Sequence, residues 1–159
     1  MATEQGLIHI FNTTPRNDWD PEPPRTTLRP HDNGIFDIIW STSDALLATC
    51  SGDHTVKVSD PRRADAGALR TLTGADATVK CMAWRSGSES LLAAGARNGK
   101  ILLWDLRLGA DEPVLNFDME LSGKGKKAKL GRAPSRSITG LLLPDEDLHS
   151  LVSTSSHDG

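Results

Sequence analysis

Two acid–base pairs recur in this chain, Asp60-Pro61-Arg62 and Asp105-Leu106-Arg107, with 45 residues between corresponding positions. A carboxylate two residues before a guanidinium can brace a turn, while the guanidinium presents a planar fork for bidentate, charge-assisted bonds that a lysine cannot reproduce. That is chemistry for docking. Taken alone, the pattern is better described as an arginine capping an exposed corner, since most surface charges are solvated. Catalysis has little support. The acid–imidazole neighbours Asp53-His54 and His157-Asp158 fall in polar turns that explain them, and adjacent residues of a strand point to opposite faces, which is poor geometry for a shared site. With no His-x-x-x-His, paired cysteines or Gly-rich phosphate loop, no catalytic residue, metal site or cofactor is expected. Cys50 and Cys81 lie 31 residues apart, each within an apolar strand, the setting of small buried hydrophobes rather than of a metal or disulfide pair.

The elements that must hold these pairs repeat with them. SGDHTVKVSDPRR at 51–63 and ARNGKILLWDLRL at 96–108 each contain a polar turn, an alternating strand, an Asp at the strand end and an Arg two residues on. A period of roughly 40 to 45 residues is that of a WD-repeat blade, so the predicted fold is all-β, part of a β-propeller represented by about three blades. GIFDIIW at 34–40, ALLATCS at 45–51 and HTVKVSD at 54–60 predict three strands of one blade; VKCMAW at 79–84, SLLAAGA at 90–96 and KILLWD at 100–105 predict the next. Arg97-Asn98-Gly99 is the hairpin signal within that second set.

The organisation read along the chain is as follows. Residues 1–12 end a preceding blade, with Gly6 at the turn and Phe11-Asn12 where Trp-Asp would stand. Residues 13–30 carry Pro15, Pro21, Pro23, Pro24 and Pro30, which predicts an exposed connection without a ladder strand and makes Trp19-Asp20 a decoy. WD repeats are expected over 31–62 and 63–107, a basic flexible insertion over 108–136, and the start of a further repeat over 137–159. Two near-complete blades and two pieces cannot close a ring, so the chain is expected to be a fragment of a longer propeller with exposed sheet edges.

Charge is uneven. The net value is −3, yet residues 122–136 hold six cations and no acid, leaving −9 on the rest. Lys124, Lys126, Lys127, Lys129 and Arg132 can be read as a nuclear-import signal, as a nonspecific phosphate contact or as a solvated loop. The first is preferred, and direct nucleic-acid binding is not expected because no aromatic residues are interleaved. No apolar run approaches a membrane span and the first residues lack a secretory pattern, so an intracellular protein without a membrane partner is expected.

The repeats resemble WD-repeat proteins, and more closely the denticleless family of cullin-4 ubiquitin-ligase substrate receptors. ATEQGLIHIFNT at 2–13 is similar to that family's blade ending, HDNGIFDIIW at 31–40 to its His-x-Asn-x-Val-Phe-Asp-x-x-Trp, and the Lys-bearing insertion sits between the same two blades. The generic repeat implies a structural tetrad of His, Ser/Thr, Asp and Trp. His31, Thr49 and Asp53 match in the first blade, where Ser59 replaces Trp; Trp104 matches in the second, where Ala75, Ala94 and Asn98 replace the other three. Thr154 and Asp158 remain in the last piece. The family implies that Asp60 and Asp105 brace their turns while Arg62 and Arg107 reach the ligase's propeller adaptor. It further implies a non-catalytic nuclear receptor that presents replication-licensing or cell-cycle proteins, clamp-bound on DNA, for ubiquitylation. The competing expectation is a general WD-repeat scaffold in a chromatin or histone-binding complex.

Overall fold

The computed structural model describes residues 1–12, 25–118, 136–144 and 151–157. Their regular structure is β-strand and 3-10 turn: β1 Ile8–Ile10, β2 Thr26–Leu28, β3 Ile35–Trp40, β4 Leu47–Ser51, β5 Val56–Ser59, β6 Arg70–Leu72, β7 Val79–Trp84, β8 Leu91–Ala96, β9 Lys100–Asp105, β10 Leu115–Asp118, β11 Arg136–Leu142 and β12 Val152–His157. All pairing within the sheets is antiparallel. β3 to β6 form one four-stranded meander and β7 to β10 a second, flanked by the pairs β1-β2 and β11-β12. The inner strands β3, β7 and β11 pack side by side, as blades about an axis require.

The strands follow from burial on the blade faces. β4 is buried at every residue and β8 at all but its first, because a middle strand has a neighbouring blade or core on both faces. That is why LATCS and LLAAGA are small and apolar without a clean alternation. The largest core cluster joins Ala48, Cys50, Val56, Val58 and Leu72 of one blade to Val79, Met82, Leu92, Ala94, Leu102 and Trp104 of the next. The hydrophobic stabilisation therefore lies between blades. Burial raises the thiol pKa of both cysteines, that of Cys81 to about 11, so both stay protonated at neutral pH.

The inner strands share a second device. Each carries a register shift near its start, between Ile35 and Asp37 in β3, Val79 and Cys81 in β7, and Ile138 and Gly140 in β11. A bulge re-aims a side chain and frees a backbone group. In β3 that side chain is Asp37, whose carboxylate accepts from its neighbour Ile38 N at 2.8 Å and from Met82 N of β7 at 2.8 Å. At the corresponding place in β7, the Cys81 thiol reaches the Ile138 carbonyl of β11 at 3.7 Å. Thus the bulge residue of one blade grips the backbone of the next.

Two expectations require correction. Residues 13–30 contain a ladder strand after all: β2 pairs with β1, Ile8 opposite Leu28 and Ile10 opposite Thr26. The segment 108–136 likewise begins with one, since β10 pairs with β9, Leu115 opposite Leu103. Both are outer strands, short and paired on one side, where nearby prolines are tolerated and no alternation is demanded. Repeat and blade are offset, which leaves the predicted repeats as they are. β6 falls in the second predicted repeat but pairs with β5 of the first, so each blade takes its outer strand from the repeat that follows.

Candidate docking site

The two Asp-x-Arg sequences occupy equivalent corners at the ends of β5 and β9. Each Asp is extended (Asp60 φ −97°, ψ 111°; Asp105 φ −106°, ψ 107°) and caps a 3-10 turn, Pro61–Ala66 or Leu106–Leu108. Asp60 Oδ1 accepts from Arg62 N at 2.9 Å, and Asp105 Oδ1 accepts from Arg107 N at 3.0 Å. This is a carboxylate taking an orphan amide of a turn that starts where the ladder stops. The backbone N–H of Arg62, then its side chain, hold the Asp60 carboxyl below its usual pKa; at Asp105 the Arg107 side chain leads and the backbone follows.

The arginines do not simply extend outward. Arg62 Nε donates back to Asp60 Oδ1 at 3.1 Å, while Arg107 makes a fuller pair, Nε to Oδ1 at 2.9 Å and Nη2 to Oδ2 at 2.6 Å. Yet the side chains stay 72% and 70% exposed, against 15% and 12% for their carboxylates. Acid and base have divided the work: the carboxylate is spent on the corner, and the guanidinium is oriented by it with its outer edge in solvent.

Neighbours distinguish the corners. The guanidinium of Arg70, on β6 of the first blade, crosses to the second corner, giving Nη1 to Leu106 O at 3.3 Å, Nη2 to Ala110 O at 2.7 Å and Nε to Asp111 Oδ1 at 2.9 Å. Trp104 Nε1 and Thr73 N both donate to Asp111 O, at 3.1 and 2.9 Å. At the first corner the matching strand position holds Thr26, judged by pairing (Thr26 opposite Ile10, Arg70 opposite Val58), and a recess of about 810 Å³ opens among Thr26, Arg25, Trp40, Arg62, Arg63 and Asp65.

The tetrad residues are brought together only in part. Buried His31 places Nδ1 2.8 Å from Asp53 Oδ2 and Nε2 3.0 Å from Thr49 Oγ1. A carboxylate can only accept here, so Nδ1 carries the proton. The Thr49 hydroxyl then donates to Nε2, in preference to the Lys57 carbonyl at 3.4 Å. Trp104 stands in the second blade, apart from that network: Ala94 offers it no hydroxyl, and its Nε1 is shared between the Thr73 and Asp111 carbonyls. Asp76, beside Ala75, does the bridging instead, accepting from Asn98 Nδ2 at 2.6 Å and Lys100 Nζ at 2.7 Å. His54 has φ +68°, like Gly99 45 residues later at +86°, so it holds a left-handed turn position. Thr154 pairs with Gly140 in β11-β12 and lies 3.2 Å from the Thr139 hydroxyl. Asp158, the Trp19-Asp20 pair and the basic residues Lys124, Lys126, Lys127, Lys129 and Arg132 lie outside the described residues.

The His31 network makes stability depend on pH. Burial lowers the His31 pKa despite the Asp53 bond, and hydrogen bonds from Thr55 and His31 outweigh burial to hold Asp53 low. The folded state therefore keeps His31 neutral where the unfolded imidazole, near 6.5, has begun to take a proton. Its contribution is complete above about pH 6.5 and declines as pH falls through the lowered folded value. Denaturant midpoints at about pH 7.5, 6.5 and 5.5 should fall with acidity in the wild type and fall less in His31→Gln. Parallel profiles would refute the assignment.

Among the described residues no three metal-ligating side chains cluster, and no helix is long and apolar enough to cross a membrane. The model of the WD domain, G-beta repeat, matches residues 22–60 and 67–105. Over its whole length the chain is 28% identical to the Drosophila melanogaster protein lethal(2)denticleless, 28% to the Danio rerio denticleless protein homolog and 26% to that of Homo sapiens. It spans about a quarter of the length of these relatives, between 23 and 25%. A chain in a crystal structure of the mitotic checkpoint complex superposes with TM-score 0.70 at 24% identity, covering 97% of this chain and 40% of that one. This chain carries WD repeats, and its fold is that of successive blades of a β-propeller.

Proposed function

We propose that this WD-repeat chain, similar from end to end to denticleless proteins, is part of a substrate receptor of a cullin-4 ubiquitin ligase. The observation that carries the proposal is the pair of equivalent corners, each with a capping carboxylate and an exposed, oriented guanidinium. In the receptors it resembles, a blade-ending Asp-x-Arg in successive blades docks the propeller adaptor. Arg62 and Arg107 would bond acceptors on that adaptor, with Asp60 and Asp105 setting the direction of each fork. The role is binding: ubiquitin transfer belongs to other subunits, and the receptor presents replication-licensing or cell-cycle proteins. A nuclear location, with import through the Lys124–Arg132 segment, is part of the same reading.

The test is capture of the purified adaptor by the wild type and by Arg62→Ala/Arg107→Ala. A loss of at least tenfold in affinity, with unchanged thermal melting, is the expected result. Equal capture by wild type and double variant would reject docking through these corners. Failure of a well-folded wild type to bind would return the chain to the general WD-repeat scaffolds.

A further inference from the structure

We infer that Arg70 is a positioning residue for docking, setting Arg107 for the partner from across a blade boundary; the inference rests on the docking role proposed above. Arg70 belongs to β6, the outer strand of the first blade, and its backbone is committed there opposite Val58. Its side chain leaves that blade. All three guanidinium nitrogens are used on the turn that carries Arg107: Nη1 on the Leu106 carbonyl, Nη2 on the Ala110 carbonyl and Nε on Asp111, with Nη2 also 2.8 Å from the Asp111 carboxylate. The two carbonyls lie one residue before and three after Arg107, so the turn is pinned on both sides of it.

The arrangement has a consequence for binding. A turn of three residues beyond the end of a ladder has few interactions of its own, and an exposed arginine on it would otherwise lose rotamer and backbone freedom on docking. With Leu106 and Ala110 fixed and Asp105 gripping the guanidinium at two points, that ordering is in place before the partner arrives. The partner then needs only an acceptor surface, carboxylates or carbonyls, opposite the exposed edge. Among the described residues the first corner shows no such clamp: Thr26 stands where Arg70 does, and a recess lies beside it. Among the described residues the two corners thus differ: Arg70 presets the second, whereas the first has Thr26 in its place and a longer turn with the non-helical Arg63 (φ −120°, ψ 52°).

A mutant cycle with the purified adaptor as probe separates positioning from general structural support. Arg70→Gln should weaken adaptor binding about tenfold. Combined with Arg107→Ala it should add nothing to that variant's own loss, whereas combined with Arg62→Ala the losses should multiply. Arg70→Lys should not restore binding, since one ammonium cannot serve three separated acceptors. If Arg70→Gln proves poorly folded by circular dichroism, Asp111→Asn weakens the same clamp and should give the same pattern. Binding within twofold of wild type, or a loss that multiplies equally with both arginine variants, would overturn the inference while leaving docking intact. Should Arg62→Ala and Arg107→Ala both bind normally, the docking proposal fails and this inference with it.

Discussion

Replacing Gly95 with alanine should cost about 2 to 3 kcal/mol of folding stability, a large effect for one added methyl group. Gly95 is in β8 and faces the third blade. A Cβ built on it meets Ile138 Cγ2 and lies 2.7 Å from Ile138 Cβ and 2.9 Å from Cys81 Sγ. None of these neighbours is the end of a flexible chain. Ile138 is fully buried, and Cys81 is held on the Ile138 carbonyl. Close-packed interiors answer such an insertion by shifting backbone. The collision should be relieved in part by Ile138→Ala, which removes the nearest carbon; the double variant should therefore be at least about 1 kcal/mol more stable than the sum of the single losses. Denaturant unfolding of the four proteins measures this, with unchanged slope as the check on two-state behaviour. A neutral Gly95→Ala, or strictly additive losses, would show that the second and third blades are not locked at this point.

Gly95 also marks where the sequence stopped being informative. SLLAAGA reads as a strand from its composition, but nothing in it tells that the glycine makes room for an isoleucine 43 residues later. The long strands were legible because they bury apolar side chains in a repeated frame, and the 45-residue offset located both corners before any geometry was known. The outer strands β2, β6 and β10 were not, because a short edge strand is specified by the partner it pairs with and its residues obey no alternation of their own. The tetrad divided along the same line. His31, Thr49 and Asp53 could be matched one by one, since a small hydrogen-bonded network needs those chemical groups in any setting. Trp104 could not be placed, because its partner depends on which carbonyl is near, and the loss of a hydroxyl at Ala94 sends the indole to Thr73 and Asp111. Asp37 and Arg70 share a further obscurity: each acts on another blade, and in the sequence each is one more charged residue in a chain that is 25% charged.

Trp104→Ala should destabilise the fold by about 3 to 5 kcal/mol, the usual range for removing a large buried aromatic, and should impair the docking corner as well. The indole is 1% exposed and belongs to the core cluster between the two complete blades, so its removal opens a cavity where neither blade can collapse alone. Its Nε1 bonds add a second effect. Without them the Thr73 carbonyl loses that donor, and the Asp111 carbonyl keeps the Thr73 amide and hydroxyl. Asp111 is also the residue whose carboxylate receives Arg70, so the indole and the guanidinium hold the same short segment from opposite ends, one through its backbone and the other through its side chain. Trp104→Phe separates the contributions: it keeps most of the volume, loses both hydrogen bonds and should cost about 1 to 2 kcal/mol. At a temperature where both variants are folded, the phenylalanine variant should bind the adaptor more weakly than wild type, by about threefold, because the Arg107 turn is less well ordered in the free protein. Measured midpoints and adaptor affinities decide the matter together. A Trp104→Phe protein that melts earlier but binds normally would mean that Arg70 alone presets the corner, and that Trp104 serves the core and nothing beyond it.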